Sequence, residues 1–130
     1  MFSVVRDGLP LPALFVRRSQ EGLVSEPIQQ IKAEFFKALA HPARIRILEI
    51  LSERESSVSE LVTDVGLESS HLSQQLGVLR RANLVITRKS GNNVYYRLAD
   101  RRLAKLLELA KQILLEYLTT ARDLLTDVKS

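Results

Sequence analysis

Apolar side chains recur along most of this chain with helical spacing. Pro27 suits a first helical position, and Ile28, Ile31, Phe35, Phe36 and Leu39 then share one helical face. His41-Pro42 interrupts and opens a second helix, with His41 at its N-cap and Ile45, Leu48 and Leu51 inward. Arg44, Arg46 and Glu49 point largely outward, and Ser52 to Ser56 reads as a polar loop. Ser57-Val-Ser-Glu60 is a capping box for a short third helix with Val58, Leu61, Val62 and Val65 inward, which Gly66 ends. A fourth helix runs from Ser69 to about Ala82 with Leu72, Leu76 and Leu79 as its buried stripe. Ser70, Gln74, Gly77 and Arg81 point the opposite way, flanked by His71.

The period then changes. Leu84 to Arg88 reads as a strand, Ser90-Gly91-Asn92-Asn93 as a turn, and Val94 to Leu98 as the returning strand of a β-hairpin. Asp100 caps a long last helix in which Leu103, Leu107, Ala110, Leu114, Tyr117, Ala121, Leu124 and Val128 alternate spacings of four and three. Leu106, Ile113 and Leu118 widen that stripe beyond what a small domain covers. A helix from a second copy is the expected partner, and the domain's own core is the alternative.

Two short helices joined by a tight glycine turn, the second with a polar outer face, form a helix-turn-helix pattern. A β-hairpin with basic residues directly after it makes a winged helix. The expected class is therefore mainly α with a small β-hairpin, in the order α1-α2-α3-α4-β-β-α5. Residues 26–130 form the winged-helix domain and residues 1–25 an extension. Its glycines and prolines alternate with Phe2, Val4, Val5, Leu9, Leu11, Leu14, Phe15 and Val16, so it packs on its own domain or on a partner subunit; a disordered tail is the alternative.

Charge sharpens this picture. The 130 residues carry a formal net charge of +4. Residues 68–98 alone hold Arg80, Arg81, Arg88, Lys89 and Arg97 against Glu68, a balance equal to that of the whole chain. A positive segment on a nearly neutral body suits a polyanion. The candidate DNA-binding residues are Ser69, Ser70, His71, Ser73, Gln74 and Arg81 on the fourth helix, with Arg88, Lys89 and Asn92 in the wing. Serine, histidine and glutamine exchange hydrogen bonds with base edges and phosphates, and glutamine pairs with adenine in bidentate fashion. The candidate dimerisation residues are Leu103, Leu107, Ala110, Leu114, Tyr117, Ala121 and Leu124.

Other chemistries find no support. With no cysteine there is no disulfide, thiolate metal site or cysteine nucleophile. The two histidines, His41 and His71, lie 30 positions apart on different helices, which argues against a histidine-built metal or catalytic centre. No glycine-rich phosphate cradle is present. No catalytic residue and no cofactor are expected, and the absence of a long apolar run argues against a membrane and for the cytoplasm.

The stretches FFKALAHPARIRILEIL, SVSELVTDVGLESSHLSQQLGVLRRANLV and RKSGNNVYYRL resemble the ArsR/SmtB family of bacterial winged-helix repressors over about residues 30–120. The resemblance implies a homodimer joined through its terminal helices. It also implies DNA contacts at the front of the fourth helix and repression of an operon until an effector releases it. The family's thiolate pair falls here on Val62 and Asp64, and three of its last-helix ligand positions on Arg102, Ile113 and Glu116. This departure argues against metal sensing and leaves the effector unassigned. The competing reading is a winged helix used as a protein–protein module, which calls for large exposed apolar residues on the fourth helix; only Val78 comes close.

Overall fold

The structure is a computed structural model that describes residues 27–129. The expected extension, residues 1–25, lies outside them. The described elements are α1 (Ile28–Leu39), α2 (Pro42–Glu53), β1 (Ser56–Ser57), α3 (Val58–Val65), α4 (Ser69–Arg81), β2 (Val85–Ser90), β3 (Asn93–Leu98) and α5 (Arg102–Lys129). They form two units, one up to Asp100 and the other from Arg101 onward.

In the first unit α2 is the hub. It touches α3, α4 and β3, and Ala43, Ile47, Leu48, Ile50 and Leu51 are all buried. The inward set expected for this helix was too narrow, because neighbours cover more than one of its faces. Ile47 is fully buried, whereas Ile45 is only half-buried. The His41 ring caps α2: its Nδ1 accepts the Ala43 N–H at 3.0 Å. Helix α1 begins one residue later than expected, with Pro27 as its N-cap. Of its apolar face Leu39 is buried, but Ile28 and Phe36 are about half exposed (54% and 52%).

Two expectations need correction. Arg44 does not point outward. Its guanidinium donates to the Ala38 and Lys37 carbonyls at the end of α1 (2.7 and 3.3 Å) and to Gln75 Oε1 of α4 (3.0 Å). Free carbonyls at a helix C-terminus attract a cation, which explains its placement. The polar stretch Ser52–Ser56 is likewise no loop. Helix α2 continues to Glu53, and Ser56–Ser57 forms a third strand. It pairs antiparallel with β3, Ser56 opposite Tyr96 and Ser57 opposite Tyr95, giving the order β1-β3-β2. Strand pairing supplies the backbone partners that let two serines be buried.

The wing follows the expected pattern closely. β2 and β3 pair from Val85–Leu98 to Ser90–Asn93, leaving Gly91-Asn92 as a two-residue turn. Only Gly91 of these two has positive φ (+63°), as in a turn with glycine at its first central position.

The second unit is α5. It has 28 residues and, at about 1.5 Å per residue, is roughly 42 Å long. Helix geometry begins at Arg102, two residues after Asp100. Leu103 is buried and Leu107 half-buried, so these two do not belong to an exposed stripe. Ala110, Leu114, Tyr117, Ala121 and Leu124 are exposed. No described helix is long and apolar enough to cross a membrane.

Candidate nucleic-acid interface

The site is built on α3, its turn and α4. The capping box at the start of α3 is fully formed. Ser57 Oγ accepts the Glu60 N–H (3.3 Å), and the Glu60 carboxylate accepts the Ser57 N–H (2.9 Å). Hydrogen bonds to the carboxylate, first from the Ser57 backbone N–H and then from the Ser57 side chain, hold the Glu60 carboxyl below its ordinary value. Gly66 ends α3 in the left-handed region (φ +77°), which a Cβ would strain, and turns the chain into α4.

Helix α4 buries Leu72, Gln75, Leu76 and Leu79. The leucines are those expected. Gln75 is the member that sequence reasoning missed, although its place three after Leu72 and four before Leu79 puts it on the same stripe. Its side chain receives Arg44, so α4 is tied by one hydrogen bond to the start of α2 and, through Arg44, to the end of α1. Asn83, with φ +56°, follows α4 and lets the Leu84 N–H return to the Leu79 carbonyl (2.9 Å).

The opposite side of α4 is open. Ser69, Ser70, Ser73, Gln74, Arg80 and Arg81 are exposed, and His71, Gly77 and Val78 are half-buried. A Cβ on Gly77 would lie 3.1 Å from an Arg81 guanidinium nitrogen, so the missing side chain leaves room for that cation along the helix. The two histidines are not apart, as their sequence separation suggested. His41 and His71 meet edge to face, with ring centroids 6.3 Å apart. Tertiary packing brings the N-cap of α2 against the first turn of α4, and the spacing carried no sign of it. Among the described residues no group of three or more side chains is arranged to hold a metal ion. The Asp64 carboxylate accepts the Arg54 guanidinium.

In the wing, Arg88 and Lys89 part company. The Arg88 guanidinium is turned back onto Glu55, with Nε 2.9 Å from both carboxylate oxygens and Nη2 2.6 Å from Oε1, and it lies 4.7 Å over the Tyr95 ring. The hydrogen bond from Arg88 is the main cause that holds the Glu55 carboxyl below its ordinary value, and the same bond holds Arg88 above its own. Lys89 and Asn92 are exposed at the turn end of the hairpin, and Lys89 makes no ion pair among the described residues. Of the two basic residues near the turn, then, Lys89 is free among the described residues and Arg88 is engaged.

Polar α4, basic wing and tight turn are the parts of a winged helix-turn-helix, and comparison with known proteins identifies which. Residues 41–87 match the family described as "Bacterial regulatory protein, arsR family". The chain is 55% identical over 107 residues to the HTH-type transcriptional regulator Rv0081 of Mycobacterium tuberculosis, covering 82% of this chain and 94% of that one.

The chain belongs to the ArsR family.

The ArsR-family chain also shares 38% identity over 100 residues with the biofilm growth-associated repressor of Agrobacterium fabrum (77% and 76% of the two chains). The crystal structure of Rv0081 superposes with a TM-score of 0.69 at 58% identity, over 75% of this chain and 98% of that one. The homodimeric winged helix-turn-helix DNA-binding domain Mb0332 of Mycobacterium bovis gives 0.64 at 29% identity, over 74% and 94%. The fold is thus a winged helix-turn-helix, and the protein is a transcriptional regulator of the ArsR family, whose members are DNA-binding proteins and not enzymes.

Proposed function

We propose that this ArsR-family regulator is a cytoplasmic homodimeric repressor that reads an inverted-repeat operator. The observation that carries the reading is the exposed polar front of α4 beside the wing, on a chain whose last helix leaves Leu114, Tyr117 and Leu124 59–69% exposed. Ser69, Ser70, His71, Ser73 and Gln74 enter the major groove, and Gln74 takes an adenine. Arg81, Lys89 and Asn92 meet the backbone. Arg88 joins them only with the part of its guanidinium that Glu55 does not hold. Ala110, Leu114, Tyr117, Ala121 and Leu124 form the seam between two copies, which sets the half-sites about one helical turn, roughly 10–11 base pairs, or a multiple of it apart. The homodimeric state of Mb0332 supports this assembly, and the repressor from Agrobacterium supports the sign of regulation.

The test recovers bound fragments from total genomic DNA of the source cells and measures affinity on the enriched site and on random duplex. Gln74→Ala is expected to cost about 1–3 kcal/mol on the operator and to relax one base position per half-site. Lys89→Ala is expected to weaken all sequences alike and to flatten the log–log salt slope by about one per lost phosphate contact. Unchanged base preference in Gln74→Ala, with altered preference in Lys89→Ala, refutes the assignment of readout to α4.

A further inference from the structure

Helix α4 is held from one side by the first turn of α2. His71 and Gln75 are four residues apart, so they stand one above the other on the same side of α4. Each meets one residue from the start of α2. The His41 ring lies edge to face against His71, with centroids 6.3 Å apart, and Arg44 Nη1 donates to Gln75 Oε1 at 3.0 Å. Both α2 residues are themselves fixed. His41 Nδ1 accepts the Ala43 N–H at 3.0 Å. One edge of the Arg44 guanidinium, Nε and Nη2, grips the successive carbonyls of Ala38 (2.7 Å) and Lys37 (3.3 Å) at the end of α1. Gln75 is only 8% exposed, and Arg44 supplies a partner for its amide oxygen.

We propose that Arg44 is a positioning residue for DNA readout: it sets the roll of α4 about its own axis, and so the direction in which Ser70 and Gln74 face the bases. The inference rests on the DNA-binding reading above. Two contacts one turn apart, about 5.4 Å along the axis, fix both the roll and the tilt of a helix where one contact leaves a pivot. The leucine stripe of α4 sets its buried side only coarsely, because apolar contact is non-directional. A hydrogen bond weakens steeply as its angle closes, so it holds the roll more narrowly. Base edges are read through hydrogen bonds of fixed geometry, whereas phosphate contacts carry no sequence information. A helix that rolls slightly therefore stays on the duplex but turns Gln74 away from its base. Arginine suits the task, since its planar fork presents donors on both edges, which the point charge of a lysine does not.

The experiment uses the whole chain and measures, by fluorescence anisotropy, the ratio of its affinities for the enriched genomic site and for random duplex. Arg44→Lys keeps the charge and loses the fork, and Gln75→Leu removes the acceptor at similar volume. Each is expected to lower the ratio by about tenfold, on the order of one lost base contact. Affinity for random duplex and its salt slope are expected to stay unchanged. The double variant is expected to lose no more than either single one, since both changes break the same contact. Gln75→Glu keeps an acceptor for Arg44 and is expected to preserve the ratio, even though its charge weakens binding to both duplexes. Circular dichroism and thermal melting confirm folding, and Gln75→Leu decides the case if Arg44→Lys does not fold. A purely structural role lowers the melting temperature and leaves the ratio at its wild-type value. That ratio in either folded variant overturns the proposal, and so does a ratio in Gln75→Glu as low as that in Gln75→Leu. Wild-type protein that prefers no genomic site over random duplex overturns the DNA reading beneath it instead.

Discussion

Helices α2 and α5 bury their apolar residues to opposite degrees. Five of the twelve residues of α2 are buried against α3, α4 and β3. Of the 28 residues of α5, only Leu103 is buried among the described positions, and Leu109, Ile113, Leu114, Leu115, Tyr117, Leu118, Leu124 and Leu125 are all more than 45% exposed. Scattered exposed leucines are ordinary, but so many exposed large apolar residues on one helix form the kind of surface a partner covers. The recognition unit thus buries its core within one chain, whereas the last helix leaves most of its described apolar residues exposed. In the proposed homodimer this division has a use: the first unit holds α4, and the exposed helix fixes the distance between two copies.

The largest expected effect breaks the comparison at α5. Leu114→Arg places two charges in each dimer seam. Leaving them unpaired there costs several kcal/mol. Sedimentation should show a micromolar dimer for the wild type and a monomer for the variant, with circular dichroism of the recognition unit retained. A wild-type monomer at that concentration removes the argument altogether.

Next comes the core of the recognition unit. Leu48 is fully buried in α2, so Leu48→Ala should lower unfolding stability by about 2–5 kcal/mol, the usual range for a buried leucine. Leu125→Ala, at a 63% exposed position, should change the unfolding of a dissociated chain by less than about 0.5 kcal/mol. Urea melts of both variants at concentrations below dimerisation make the comparison, and equal losses would deny that the two regions differ.

A smaller effect separates stability from function inside α4. Gly77→Ala should raise stability by about 0.5–1 kcal/mol through helix propensity. The exposed Arg81 guanidinium that faces the new Cβ is the end of a flexible side chain and moves aside. The melting temperature should rise while affinity for random duplex falls slightly. A drop in melting temperature would mean that the Arg81 position is rigid.

The smallest effect is on pH. The Glu60 carboxyl is held below its ordinary value by its bonds to Ser57, and that of Glu55 chiefly by Arg88. A lowered folded value means that each contribution is present above the ordinary carboxylate range and is lost as pH falls through the folded value. Acidification below that range should therefore loosen the start of α3. Hydrogen exchange should show its amides losing protection before those of α2, and Glu60→Gln should make stability less sensitive to acid.

Much of this was legible in the residues. Period and punctuation are local properties. The capping box at Ser57, the glycine at position 66 and the hairpin turn at Gly91-Asn92 therefore appear where the spacing places them, and the leucine stripe of α4 is buried as its period requires. The open face of α4 followed from the same stripe, since Ser70, Gln74 and Arg81 lie on the opposite side of the helix and are exposed. Polar residues with long-range partners were not legible. Arg44 and Gln75 are 31 positions apart, and Glu55 and Arg88 are 33 apart. A charged or amide side chain looks solvent-facing in a sequence until a partner is known.

By itself, then, the sequence determined the order of the five helices and the β-hairpin, the helix-turn-helix and its wing, and the overlong apolar stripe of α5, because each depends on neighbours a few residues away. Only the tertiary structure decided that Ser56–Ser57 is a buried strand, that Arg44 ties α1 to α4, that His41 meets His71, and that Arg88 is turned onto Glu55 while Lys89 stays free. Those outcomes depend on which backbone groups and charges come together after the chain has folded. No period along the chain encodes that.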